Sequence, residues 1–174
     1  RPVKAAHIPN LICVLRIALV WPIISALVGG RFVTALLLVA VAGFSDGLDG
    51  YLAKRFDWRS RLGGLLDPLA DKLLLVSTFV TLTWLGLVPV WLTAVVIVRD
   101  FVIVSGGLVY QAIVAPVQPE PSRASKFNTG AQLLFICAVI ANHGLGEPPA
   151  QFLLAVGAAV LVTSTVSGLD YVVR

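Results

Sequence analysis

Six apolar stretches, each about as long as a bilayer crossing requires, fall at residues 11–28, 32–53, 67–87, 89–114, 127–142 and 151–171. Little else lies between them. A soluble domain of 174 residues with 58% hydrophobic and only 13% charged residues would lack the polar surface to stay in water. The expected fold class is an all-α integral membrane protein, multi-pass, with six transmembrane helices in a single domain spanning 1–174. Turns are expected at "GGR" (29–31), "GLVP" (86–89) and "HGLGEPP" (143–149), where glycine and proline break the pattern. The Pro-rich "APVQPEPSRASK" (115–126) is too polar to cross lipid. The leading "RPVKAAHIPN" reads equally as a helix lying in the membrane interface or as a frayed tail. No cleavable signal peptide is expected, because the first apolar run carries Arg16 and no A-x-A-like site follows it.

The net charge of +4 reads as membrane topology, with no nucleic-acid partner, because the basic residues sit in short loops. Arg1 and Lys4 precede the first span. Lys54, Arg55, Arg59 and Arg61 follow the second, Arg123 and Lys126 the fourth, and Arg174 ends the sequence. On the other side only Arg31 is basic. Both termini and the connection after the second span are therefore expected on the cytoplasmic side.

That connection and its flanks hold five of the nine acidic residues: Asp46, Asp49, Asp57, Asp67 and Asp71. Asp46 and Asp49 are three apart, so one helix face carries both, and Gly50 and Ala53 extend the same face. Residues with almost no side chain let a bulky ligand approach the backbone; they also serve tight helix–helix packing in membranes. Asp67 and Asp71 open the third span at i, i+4 spacing, and Asp67 before Pro68 has the form of an N-cap. Capping accounts for Asp67 but not for Asp71. Carboxylates at a membrane boundary are costly unless paired or metal-bound. The nearby Lys54, Arg55, Arg59, Arg61 and Lys72 offer a salt-bridge network, but four acids on two helix ends, with same-face spacing on each, instead suit hard divalent cations. An EF-hand does not fit the spacing, and His7 and His143 are too isolated for zinc.

The run Asp46-x2-Asp49-Gly50-x2-Ala53-Lys54-x8-Gly63-x3-Asp67-x3-Asp71 resembles the signature of the CDP-alcohol phosphatidyltransferases at every spacing. Lys54 stands where that family usually has arginine, which keeps the charge and loses the bidentate fork. The resemblance implies six transmembrane helices and transfer of a phosphoryl-linked group from a CDP-linked donor to an acceptor hydroxyl, with release of CMP. It implies that Asp46, Asp49, Asp67 and Asp71 bind two divalent ions, magnesium or manganese, and that Asp71 is also the base. Asp49, Gly50, Ala53, Lys54 and Gly63 would form the nucleotide site, and the enzyme would be a homodimer among membrane lipids.

Further stretches resemble two branches of the family. "IPN" (8–10) followed by Arg16, and "LDPLADK" (66–72), are common to cardiolipin synthases and phosphatidylglycerophosphate synthases. "RD" (99–100) and "SKFNTGAQL" (125–133) are more like the cardiolipin branch. The expected donor is CDP-diacylglycerol and the favoured acceptor phosphatidylglycerol, giving cardiolipin; the alternative is glycerol 3-phosphate. Arg99, Arg123 and Lys126 are the expected acceptor-phosphate residues, although Arg99 equally suits pairing with a buried acid. A non-enzymatic reading, a divalent-cation transporter, stays open on the carboxylates alone, but no inverted repeat accompanies them.

Overall fold

The computed structural model describes the backbone of residues 7–56, 63–113 and 123–173, and side chains within 14–45, 70–106 and 127–168. Among these residues every element is helical: α1 (His7–Val28), α2 (Phe32–Phe56), α3 (Gly63–Trp84), α4 (Val90–Ile113), α5 (Arg123–Leu145) and α6 (Ala150–Val173). The helices have 22 to 25 residues, or about 33–37 Å at 1.5 Å per residue. Each matches one expected span to within a few residues. Two differences are informative. His7 to Asn10, read above as part of a leading segment, form the first turn of α1, where Pro9 forfeits no intrahelical hydrogen bond. Helix α3 begins at Gly63, so Asp67 and Pro68 lie within the helix and Asp67 is not its N-cap.

The sharp turns are glycine-made. Gly30 (φ 69°) and Gly86 (φ 74°) take the left-handed conformation that closes α1 and α3. After each, the chain bonds back into the last helical turn, Arg31 N–H to Ala26 at 2.8 Å and Leu87 N–H to Leu82 at 2.9 Å.

Followed by contact, the helices form a ring: α1, α3, α4, α6, α5, α2 and back to α1, with α3 and α5 also approaching across the middle. Helix α1 thus lies between α2 and α3. The core is built from Ile23, Leu27, Val39, Phe79, Leu82 and Ile140, all at most 1% exposed. Phe79 and Phe135 stack with centroids 6.0 Å apart. Helix α5 reaches α2 through Gly144, where a Cβ would come within 3.0 Å of Phe32 Cβ and 3.2 Å of the Val33 nitrogen. Gly144→Ala is therefore expected to push α5 off the start of α2, destabilising the bundle by about 1–3 kcal/mol. Thermal unfolding in detergent should read this as a lowered Tm.

The described surface differs from that of a water-soluble protein in exposing large apolar side chains while several charged and polar ones lie inside. Trp21, Phe44, Trp84, Phe101 and Leu154 are each more than 70% exposed. Arg16, Arg99, Asp100, Asn128 and Gln132 are buried. An apolar exterior, with the few charged and polar side chains turned inward, is what a lipid solvent selects. Among the described residues, Ala150–Gly168 of α6 is the stretch long and apolar enough to cross a bilayer on its own; those at Val14–Val28 and Phe32–Ser45 are shorter.

Candidate active site

The signature residues are carried by two helices on opposite sides of α1. Asp46, Asp49, Gly50, Ala53 and Lys54 occupy the last turns of α2; Gly63, Asp67 and Asp71 occupy the first turns of α3. The side chains of Asp46, Asp49, Ala53, Lys54 and Asp67 lie outside the described residues, and so do those of Arg123 and Lys126 in the first turn of α5. Their backbone register is what the structure supplies. Asp46 follows Ala42 by four and Gly43 by three, which continues a single helical face.

That face and α3 border a common cavity. A cavity of about 30 Å³ is bounded by Ala42 and Gly43 of α2, Asp71 of α3, Arg16 of α1, and Thr129 and Leu133 of α5. Gly43 packs close to Leu133 there: a Cβ would sit 2.8 Å from Leu133 Cδ2, so the leucine tip would have to move aside. The small-residue stripe of α2 thus runs one turn further back than the signature. At this end it serves close packing, and it also opens a space beside Asp71.

Asp71 is held by Arg16, whose Nη1 donates to Asp71 Oδ1. The next residue, Lys72, turns to α4 and donates to Asp100 Oδ1. Asp100 also accepts from Arg99 Nη1 at 2.6 Å, and Arg99 Nη2 donates to Ser167 of α6 at 2.6 Å. The sequence expectation left Arg99 equally suited to an acceptor phosphate or to pairing with a buried acid. The structure places Arg99 inside the bundle, 4% exposed, its long arm folded back to the adjacent carboxylate. The pairs tie α1 to α3, and α3 to α4 and α6.

Asn128 and Gln132 of the "SKFNTGAQL" stretch also face inward. Asn128 Oδ1 accepts from Thr163 at 2.8 Å and from Ser164 at 2.9 Å, joining α5 to α6, and Gln132 lies fully buried one turn on. Thr129, between them in sequence, borders the cavity with Asp71. The partnership of Arg16 with Asp71 was not expected. Its one sequence signal was an arginine inside an apolar span, which requires a counter-charge.

Among the described residues no three His, Cys, Asp or Glu side chains come together as a metal site. Of the four expected ligands, Asp71 alone lies in the described side chains. The donor set nonetheless fits a hard divalent cation. It is all carboxylate, paired at helical spacing on α2 and α3, and the face leading to Asp46 borders the same cavity as Asp71.

The sequence model of the CDP-alcohol phosphatidyltransferase family matches residues 6–166. The chain is 34% identical to a probable cardiolipin synthase (CMP-forming) of Drosophila melanogaster, over 96% of this chain and 57% of that protein. It is 43% identical to the cardiolipin synthase (CMP-forming) of Streptomyces coelicolor, over 86% of this chain and 59% of that protein. A probable phosphatidylglycerophosphate synthase of Mycobacterium tuberculosis is 28% identical, over 98% of this chain and 82% of its own length. The chain thus spans less than two thirds of the length of each of these two cardiolipin synthases.

Proposed function

Since the chain belongs to the CDP-alcohol phosphatidyltransferase family, we propose that it transfers a phosphatidyl group from CDP-diacylglycerol to the hydroxyl of phosphatidylglycerol, forming cardiolipin and releasing CMP. The observation that carries this reading is Asp71, the last aspartate of the signature, held beside a cavity whose opposite wall continues into Asp46. The names of the Drosophila and Streptomyces relatives support the acceptor. A second reading, glycerol 3-phosphate as acceptor, is favoured by the Mycobacterium relative, of which the chain covers 82%.

In this reading the domain covers 1–174, all six helices cross the membrane, and both termini and the site face the cytoplasm. Asp46, Asp49, Asp67 and Asp71 would hold two Mg²⁺ or Mn²⁺ ions, which offset the pyrophosphate charge and stabilise departing CMP. Gly50, Ala53 and Gly63 leave room for the cytidine, with Asp49 and Lys54 toward its ribose and phosphate. Asp71 accepts the proton of the acceptor hydroxyl. That oxygen bonds to the phosphatidyl phosphorus as the bond from phosphorus to the bridging pyrophosphate oxygen breaks and CMP leaves. A homodimer is part of the proposal.

Arg123 and Lys126 open α5, the helix that brings Thr129 to the cavity, and would bind the acceptor phosphate; Arg99 would support them from within. Arg123→Ala is then expected to raise the acceptor KM about tenfold or more while the CDP-diacylglycerol KM stays within about twofold, since a lost charge-assisted contact is worth roughly 1.5–3 kcal/mol. Steady-state kinetics in mixed micelles, with each substrate varied in turn, measure both. Equal acceptor KM values for Arg123→Ala and wild type would move the phosphate site elsewhere.

A further inference from the structure

Arg16 is the bulkiest of the fully enclosed side chains, 1% exposed, although its neighbours Leu15 and Ile17 face outward at 52% and 38%. A guanidinium in the middle of an apolar helix costs several kcal/mol unless a counter-charge meets it. The packing of α1 on α3 supplies that counter-charge in Asp71. The pair is asymmetric: the Arg16 side chain is 1% exposed and that of Asp71 is 28%. The Asp71 carboxylate is partly open to a substrate entering the cavity, whereas the Arg16 side chain, which also borders it, offers almost no surface. Arg16 is thus better placed to act on the reaction through Asp71 than by direct contact.

The next residue on α3 sharpens the point. Lys72 is drawn the other way, to Asp100 of α4, so α3 is gripped from two sides at adjacent residues. Rotation of α3 at this level would break one pair or the other. With Arg16 on Oδ1, one oxygen of the carboxylate is anchored beside the cavity that Ala42 and Gly43 also line. A general base needs this, because a misplacement of about 1 Å costs on the order of 10²-fold in rate.

We propose that Arg16 is a positioning residue for the reaction: from within α1 it fixes the carboxylate of Asp71 for proton removal from the acceptor hydroxyl. This rests on the reading of Asp71 as the base. It separates from a purely structural role, because an interhelical tie would affect folding and leave kcat intact in any variant that folds.

The test compares wild type, Arg16→Lys, Arg16→Gln and Asp71→Asn, purified in detergent and assayed for CMP release from CDP-diacylglycerol with saturating phosphatidylglycerol and Mg²⁺. Monodispersity and Tm report folding. Arg16→Gln is expected to lower kcat by about 10- to 100-fold, the range for outer residues that orient a working ligand, with both KM values within about threefold. Arg16→Lys keeps the charge without the fork and is expected to recover part of that loss. A folded Arg16→Gln protein with wild-type kcat overturns the proposal. If neither Arg16 variant yields folded protein, Arg16 is a structural tie and the proposal is likewise overturned. Turnover retained by Asp71→Asn would overturn the base and the Arg16 role with it. Turnover lost in Asp71→Asn but kept in Arg16→Gln overturns the Arg16 role alone.

Discussion

Asp71→Asn is expected to reduce kcat by roughly 10²- to 10⁴-fold, the range attributable to a general base, while the protein remains folded and still binds CDP-diacylglycerol. The amide has the shape of the carboxylate and keeps an oxygen toward Arg16, so the α1–α3 contact loses charge but not form. What disappears is the capacity to take a proton. The buried guanidinium of Arg16 is left facing a neutral group, so some loss of stability is expected as well, moderated by the partial exposure of Asp71. Size-exclusion profiles and the donor KM separate this cost from the catalytic one. Near-normal turnover would remove Asp71 from the role of base.

The second large effect is total loss of activity on metal chelation, restored by Mg²⁺ or Mn²⁺. Four carboxylates gathered in one small site would repel one another at neutral pH unless cations shared it. The structure narrows the protein's own supply of positive charge. Lys72 and Arg99, close to the signature in space or sequence, are both committed to Asp100. Arg16 is paired with Asp71. The salt-bridge alternative for the cluster therefore loses Lys72. Assay in excess chelator followed by stepwise addition of Mg²⁺, Mn²⁺ and Ca²⁺ measures the requirement; full turnover with all divalent ions sequestered would refute it.

The helices were legible in the sequence because apolar length and glycine or proline breaks mark a crossing segment from both ends. Gly30 and Gly86 close their helices where "GGR" and "GLVP" indicated. The start of α3 was not legible. Asp67-Pro68 has the form of a cap, and Gly63-Gly64 reads as loop, yet the helix begins at Gly63. A proline early in a helix forfeits few hydrogen bonds, so it marks a boundary only loosely. The ring order was hidden for a different reason. Helices apolar on most faces do not declare which neighbour each face meets, and α1 came between the two signature helices.

The candidate site was legible as a spacing and opaque as a set of contacts. Asp46 to Asp71 form a fixed pattern within one short stretch of sequence. Arg16 with Asp71 and Arg99 with Ser167 join positions 55 and 68 residues apart, which no local periodicity links. Arg99 with Asp100 escaped for the opposite reason. Side chains on adjacent helix positions diverge at Cβ, but an arginine is long enough to fold back.

The most direct test supplies the purified protein with CDP-diacylglycerol, Mg²⁺ and either phosphatidylglycerol or glycerol 3-phosphate, and identifies the lipid product by mass spectrometry alongside released CMP. The expected result is cardiolipin and CMP in equal amounts with phosphatidylglycerol, and little product with glycerol 3-phosphate. Phosphatidylglycerophosphate formed from glycerol 3-phosphate, with no cardiolipin from phosphatidylglycerol, would contradict the proposed acceptor; no CMP with either would contradict the proposed reaction itself.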